Sequence, residues 1–321
     1  MRDVPGGWLD PELATLTRDR FFDSGWMYER KFDGERCLAY QADGKVWLTT
    51  RNRQLVNSTY PELTAALEAQ AATGFVIDGE VVALEGGATS FSRLQQRLGV
   101  RDPSPALMRS VPVTYFVFDV LRADGRDVRD LTLRERKVVL RKLLSYGGPL
   151  RFTVHRRDSE SARAYWEHAL ASGWEGLVVK RADSRYVAGR SRDWLKFKAE
   201  TNQEFVIGGF TDPQGSRNGL GALLIGYYDD KRQLAYAGKV GTGFDEPTLT
   251  SLRAQLDELE QQRPAFDCGA LPRSGVHWVR PEMVCQVGFS EWTTAGQLRH
   301  PRYLGLRLDK DAAAVTRERP S

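Results

Sequence analysis

Trp26-Met27-Tyr28-Glu29-Arg30-Lys31-Phe32-Asp33-Gly34-Glu35-Arg36-Cys37-Leu38-Ala39-Tyr40-Gln41 is the stretch that decides the fold of this 321-residue chain. Trp26 to Lys31 and Arg36 to Gln41 read as strands. Between them a lysine, an aspartate, a glycine and an arginine fall within six residues, and Asp33-Gly34 marks a turn. Taken alone, the run fits a hairpin with solvated charges as well as it fits a lysine at a strand end aimed into a cleft.

Working outward, Asp43-Gly44 is a tight-turn signal and Lys45 to Thr50 the returning strand of a hairpin. Pro61 to Ala71 reads as a helix with proline in its first turn. Phe75 to Leu84 and Val113 to Val120 are strand-like. Thr132 and Glu135 have capping-box spacing ahead of a helix that runs to about Leu144. Ser159 to Ala171 is a further helix, followed by a strand over Gly176 to Arg181. The pattern changes near Glu200. Short strands follow at Glu204 to Phe210, Leu223 to Tyr228, Gln233 to Val240, Val276 to Arg280 and Glu282 to Phe289. One helix interrupts them, with Leu249, Leu252, Leu256 and Leu259 on a single stripe. Short strands around one helix suggest a small β-barrel of the OB type. The expected class is therefore α+β. A domain of mainly antiparallel sheets with helices spans 1–200, and a small barrel spans 201–321.

Composition narrows the class. The chain is 41% hydrophobic and 27% charged, as in ordinary globular proteins, with a mildly basic formal charge of +4 that permits a nucleic-acid partner without requiring one. No apolar run reaches the roughly 20 residues of a membrane helix, and the N-terminus lacks a signal-peptide core. A cytoplasmic location follows as an expectation. Cys37, Cys268 and Cys285 form no CxxC pair, so each is expected to be a packed thiol rather than a zinc ligand. His155, His168, His277 and His300 have no ligand spacing.

Charges inside apolar strands carry the chemistry. Asp78-Gly79-Glu80 interrupts Phe75 to Leu84, Asp119 follows Tyr115-Phe116-Val117-Phe118, and Glu175 precedes Gly176-Leu177-Val178-Val179-Lys180. A carboxylate there is costly unless paired or cation-bound, so three such interruptions favour a shared polar cleft over three edge strands. In Trp194-Leu195-Lys196-Phe197-Lys198, strand alternation puts Lys196 and Lys198 on one face. Two ammonium groups so placed suit a phosphate clamp, although lysine also guards strand edges.

In this order the pieces resemble the motif series of covalent nucleotidyltransferases, and most of all ATP-dependent DNA ligases. The KxDGxR motif is Lys31 to Arg36, and Arg51 stands in Thr50-Arg51-Asn52. The next motifs match Asp78-Gly79-Glu80, Phe116-Val117-Phe118-Asp119 and Glu175 to Lys180. The KxK motif is Lys196-Phe197-Lys198, and Arg307-Leu308-Asp309-Lys310 looks like the last motif, on the OB domain. Six motifs over about 170 residues are far more specific than any one of them. The run Arg299 to Arg307 resembles the compact bacterial ligases of non-homologous end joining. No polymerase or phosphoesterase segment is recognised, which suits a free-standing ligase or an excised ligase module.

The resemblance implies a nucleotidyltransferase (adenylation) domain followed by the OB domain, and a three-step reaction. Lys31 takes AMP from ATP, passes it to the 5′-phosphate of a break, and the 3′-hydroxyl then displaces it. Lys31, Lys196 and Lys198 are the implied catalytic residues. Glu29 and Arg30 would approach the adenine edge through backbone groups. Phe118 would stack on adenine, with Phe116 as fallback, and Glu80 would hold the ribose. Arg36 and Arg51 would contact phosphate, while Arg307, Asp309 and Lys310 would orient pyrophosphate. Glu175, with Glu80, would ligate Mg²⁺ or Mn²⁺, and Lys196, Lys198 and the metal would lower the pKa of Lys31. Arg51, Arg190, Arg192, Arg217 and Lys239 would meet backbone phosphates of nicked or broken duplex DNA. A monomer is expected, with bacterial end-joining factors as partners. RNA ligases, RNA-capping guanylyltransferases and a non-catalytic OB binding module are the competing readings.

Overall fold

The computed structural model describes residues 4–199, 202–213, 219–272 and 274–318. The chain divides after Ala199 into two compact units.

The first unit opens with β1 (Glu12–Leu16), β2 (Trp26–Arg30), β3 (Glu35–Ala42) and β4 (Lys45–Thr50). Asp43 and Gly44 both have positive φ, 49° and 73°, as a two-residue hairpin turn requires. Helix α1 (Pro61–Glu68) begins on its proline, and β5 (Val76–Glu85) and β6 (Ala88–Thr89) follow. Then come α2 (Phe91–Gln95), α3 (Pro105–Ser110), β7 (Val113–Ala123) and β8 (Arg126–Asp127). Helix α4 (Leu133–Leu143) starts with a complete capping box from Thr132 and Glu135. The remainder is β9 (Leu150–Phe152), β10 (His155–Arg156), α5 (Ser159–Ala171), β11 (Gly176–Arg181) and β12 (Gly189–Lys198).

These strands build two sheets. One has the order β1-β12-β11-β2-β10, with β1 parallel to β12. The other has the order β4-β3-β5-β7-β8, with β6 beside β5 and β9 beside β7. Alternate residues of the second sheet, including Ala39, Ile77, Val81, Tyr115 and Val117, pack on α1, α2 and α4. Its opposite face, through Leu38, Tyr40, Val76 and Phe118, packs on Tyr186 and Trp194 of the first-sheet side. The back of the first sheet buries Tyr28, Leu177, Val179 and Phe197 against α5. The order is thus helix, sheet, sheet, helix, with a cleft where the sheets face each other.

One of the two readings of the Lys31 run, the hairpin, is excluded here. Strands β2 and β3 are not a hairpin. Strand β2 pairs with β11 and β10, whereas β3 pairs with β4 and β5. The Lys31 to Gly34 segment therefore crosses from one sheet to the other. Gly34 is required by that crossing, since a Cβ there would lie 2.2 Å from the Val81 carbonyl oxygen.

The second unit contains β13 (Asn202–Thr211), β14 (Leu223–Tyr228), β15 (Leu234–Val240), α6 (Glu246–Asp257) and β16 (Glu260–Gln261). It continues with β17 (Val276–Val279), β18 (Val284–Gly288), β19 (Glu291–Trp292), β20 (Leu298–Arg299) and β21 (Arg302–Leu306). Strand β13 is shared by β14, β17 and β18, and β21 adds to β18, so the antiparallel sheet curls around a core, with a second buried cluster through Val206, Val284 and Phe266 on its other face. Phe205, Ile207, Phe210, Ile225 and Val287 fill that core, and Leu249, Leu252 and Leu256 of α6 cover it. Leu259 lies beyond the helix but packs on the same core. Cys37 and Cys285 are buried thiols, while Cys268 is exposed, contrary to expectation. Among the described residues no helix is long and apolar enough to cross a membrane.

Candidate active site

Three adjacent strands set out the floor of the cleft. Strands β2, β11 and β12 are neighbours, and the Lys31 N–H donates to the Gly176 carbonyl at 2.9 Å. Gly176 lies opposite Lys198, and Val178 opposite Lys196. Cross-strand partners share a face, so Lys31, Lys196 and Lys198 are displayed together. The alternation is visible in burial: Leu195 and Phe197 are buried, while Lys196 and Lys198 are half-buried. Gly176 has φ +138°, and a Cβ there would sit 1.9 Å from the Phe197 carbonyl oxygen, so only glycine permits the crossing beside Lys31.

The roof comes from the second sheet. Glu80 on β5 is opposite Arg36 on β3 and Phe116 on β7. The Phe116 ring stacks on Phe32, with centroids 4.2 Å apart. Phe118 is 9% exposed and lies deeper, edge-on to Trp194, with the Arg36 guanidinium 4.9 Å and the Lys180 ammonium 4.2 Å from its centroid. Phe116 is thus the more open of the two rings.

The central contact is an ion pair. The Lys31 Nζ donates to Glu175 Oε2, with the two side chains 17% and 8% exposed. Burial alone would lower the Lys31 pKa. The Glu175 carboxylate outweighs it, Asp33 and Glu80 add to it, and the pKa lies above the ordinary lysine value. The cation-lowered lysine expected from the sequence is therefore not what this structure holds. Lys31 is charged at rest because acidic groups surround it.

The acidic interruptions divide into two kinds. Glu175 meets Lys31. Asp119, with no exposure, is gripped by the Arg136 Nε at 2.8 Å and NH2 at 3.0 Å. Burial would raise its pKa, but Arg136 holds it below the ordinary range. Asp119 is therefore a structural tie between β7 and α4, not a cleft ligand. Asp78, also fully buried, accepts from Arg36 Nε at 2.8 Å and from the Tyr186 hydroxyl at 2.7 Å. It fixes Arg36 beside the cleft.

Glu29 and Arg30 lie on opposite faces of β2. The Glu29 side chain is 2% exposed and paired with Lys137 and, at 2.8 Å, with Lys180. Burial lowers the pKa of Lys180 to about 8. The Arg30 guanidinium turns away from Lys31, lying 4.3 Å from the Trp174 centroid and donating to the Gly87 carbonyl at 3.2 Å. Neither side chain joins the Lys31 group. Lys137, Lys180 and Tyr186 were missed as supports of the site. Lys180 ends a quoted motif and shares the alternation of Val178, which was the available signal.

Arg51 is exposed in the turn after β4. Arg190 and Arg192 are exposed on β12, and Arg190 NH1 donates to the Ala14 carbonyl at 2.9 Å. Lys239 is exposed on β15 of the second unit, and Arg217 lies outside the described residues. Within the second unit, Arg307 Nε and NH2 each meet the Asp309 carboxylate at 2.9 Å, and Lys310 Nζ lies 3.4 Å from Glu204. Among the described residues no three His, Cys, Asp or Glu side chains are grouped to hold a metal.

A family model described as ATP dependent DNA ligase domain matches residues 11–198. A second, ATP dependent DNA ligase C terminal region, matches residues 216–310. The chain belongs to the ATP-dependent DNA ligase family. Its two units are the adenylation and OB-fold domains of that family, as the α+β expectation held. The chain is 38% identical over 326 residues to the multifunctional non-homologous end joining protein LigD of Pseudomonas aeruginosa, covering 98% of this chain and 37% of that protein. It is 36% identical over 316 residues to the multifunctional non-homologous end joining DNA repair protein LigD of Mycobacterium tuberculosis, covering 97% of this chain and 40% of the relative. The chain therefore spans less than half the length of these ligase relatives. Among solved structures, a mycobacterial DNA ligase D complexed with ATP and MES superposes with TM-score 0.67 at 34% identity, covering 97% of this chain and 98% of that one.

Proposed function

We propose that this chain seals 5′-phosphate/3′-hydroxyl breaks in duplex DNA by an ATP-dependent route through Lys31. The observation that carries the reading is the contact of Lys31 with Glu175 at the seam of the two sheets, beside the same-face pair Lys196 and Lys198. The Lys31 ammonium first gives a proton to solvent, the neutral Nζ attacks the α-phosphate of ATP, the N–P bond forms as the bond to pyrophosphate breaks, and the nitrogen then loses its second proton to solvent. The AMP then passes to a 5′-phosphate, and a 3′-hydroxyl displaces it.

Lys196 and Lys198 neutralise charge gathering on the transferring phosphate. Arg36 and Arg51 bind phosphate, Glu80 takes the ribose hydroxyls, and Phe118 supports the base with Phe116 at the rim. The backbone of Glu29 and Arg30 faces the adenine edge. Arg307, Asp309 and Lys310 orient pyrophosphate, and Arg190, Arg192, Arg217 and Lys239 meet DNA phosphates.

The carboxylates of Glu175 and Glu80 already act on one cation, the Lys31 ammonium, and fit a Mg²⁺ or Mn²⁺ ion. Mg²⁺ commonly takes one or two carboxylates and completes its shell with substrate phosphates and water. When bound, the ion supplies positive charge to the phosphate oxygens. Glu175 would share its carboxylate between such an ion and Lys31, with which it is paired. The names of the relatives favour broken ends, met together with end-joining factors, as the setting.

The test is sealing of a nicked duplex with ATP and Mg²⁺. A sealed strand with a DNA nick supports the proposal. Sealing confined to RNA ends moves the chain to the RNA ligases. Labelling with GTP but not ATP moves it to the capping enzymes, and no covalent labelling leaves a binding module.

A further inference from the structure

Gln286 stands on the outer face of the barrel, where a buried amide needs a reason. It lies on β18 opposite Glu204 of β13, and Asn202 is two residues along the same face. The inward-facing neighbours Phe205, Cys285 and Val287 belong to the barrel core, but Gln286 does not. It is nevertheless only 4% exposed. Burying an amide is unfavourable unless its polar atoms are bonded.

Both ends of Gln286 are engaged. Its Oε1 accepts from Arg307 NH1 at 2.7 Å, and its Nε2 donates to Asn202 Oδ1 at 3.4 Å. Only the amide oxygen can accept from a guanidinium, so the orientation of the side chain follows from chemistry. Asp309 grips the other edge of the same guanidinium through Nε and NH2. The Arg307 N–H is itself tied to the Val284 carbonyl at 2.7 Å, two residues before Gln286. Arg307 is thereby held from two sides, 7% exposed, just after β21. Glu204 Oε1 lies 4.0 Å from Arg307 and 3.4 Å from Lys310, which links the two cations of the final motif.

We infer that Gln286, backed by Asn202, is a positioning residue that presets Arg307 for the pyrophosphate end of ATP. This rests on the proposed role of Arg307 in the first step. Asp309 holds one edge of the guanidinium through Nε and NH2, and Gln286 holds NH1 on the opposite edge, so the arginine meets the leaving group already oriented. Sealing of a break that is already adenylated involves no pyrophosphate, so Gln286 should matter to the first step and not to the last.

The experiment uses the full chain and two assays. One measures lysyl-AMP formation from α-labelled ATP and its reversal by pyrophosphate. The other measures sealing of a pre-adenylated nick without ATP. Gln286→Met keeps the shape and removes the acceptor. It should slow lysyl-AMP formation and its pyrophosphate reversal by about 10- to 100-fold, as loss of a hydrogen bond to a charged group implies. Sealing of the pre-adenylated nick should stay within about 2-fold of wild type. Gln286→Glu keeps an acceptor for Arg307 and should restore lysyl-AMP formation to within about 5-fold. Equal losses in both assays, or no loss in either, overturn the inference, and so does a Gln286→Glu variant no better than Gln286→Met. If Gln286→Met does not fold, Gln286→Asn, whose shorter amide does not reach Arg307, takes its place: the same selective loss of lysyl-AMP formation supports the inference, and equal losses or no loss overturn it. A wild-type chain that forms no lysyl-AMP refutes the proposed function instead.

Discussion

Two lysine–glutamate pairs, one between β2 and β11 and one just beyond their ends, behave in opposite ways. Lys31 meets Glu175 near the cleft mouth, and its pKa lies above the ordinary value. Lys180 meets Glu29 in the interior, and its pKa falls to about 8. The residue types are the same. The difference lies in burial and in sharing. Burial is the first cause at Lys180, and the Lys137 ammonium that shares Glu29 lowers its pKa further, whereas at Lys31 the Glu175 carboxylate, with Asp33 and Glu80 nearby, outweighs burial. One pair is a buried tie that fixes the strands. The other is less deeply buried, with side chains 17% and 8% exposed, which suits the reactive role proposed for it.

The comparison can be broken most severely at Lys31. Lys31→Ala should abolish covalent labelling by α-labelled ATP, because no other group replaces the nucleophile, while the melting temperature changes little. Breaking the inner pair should do the reverse. Glu29→Gln leaves two buried ammonium groups without a counter-ion and should cost about 3–5 kcal/mol of stability, read as a large fall in melting temperature. Glu175→Gln is intermediate. It removes the charge that holds the Lys31 pKa up, so burial then pushes that pKa down. The pH-rate profile for lysyl-AMP formation should shift its rising limb to lower pH, even as the maximal rate falls on the order of 10²-fold with the phosphate cation site weakened. The smallest effect belongs to Lys180. Its folded pKa is below its unfolded value of about 10.4, so the unfolded chain binds more protons between pH 8 and that value. Stability from this group therefore rises with pH across that window. In Lys180→Met that rise should be lost when melting temperatures are compared from pH 7 to 10.

Some of this could be read from the chain alone. The same-face placement of Lys196 and Lys198 follows from strand alternation, and the α4 capping box and the leucine stripe of α6 are local signals that tertiary packing kept. The path of Lys31 to Gly34 was not legible. A turn signal between two strand-like runs reads as a hairpin, and only pairing of β2 with a strand nearly 150 residues later shows a crossover. Strand β1 escaped notice because it is short and pairs in parallel with the distant β12. Asp119 was misread for a similar reason. An acid in an apolar strand announces a partner, but the partner, Arg136, sits on a helix whose packing the sequence does not display. Gln286 carried no signal at all, since a single glutamine in a strand becomes informative only when Arg307 is seen beside it.

The most direct test is to locate the adenylate. The chain is incubated with α-labelled ATP and Mg²⁺, digested, and the labelled peptide identified, while a parallel sample is chased with nicked duplex DNA. The label is expected on the peptide containing Lys31, and it should move to the DNA 5′ end as the nick is sealed. Label on any other residue, or label on Lys31 that never leaves in the presence of a nick, would contradict the central claim that the Lys31–Glu175 seam is a DNA ligase centre.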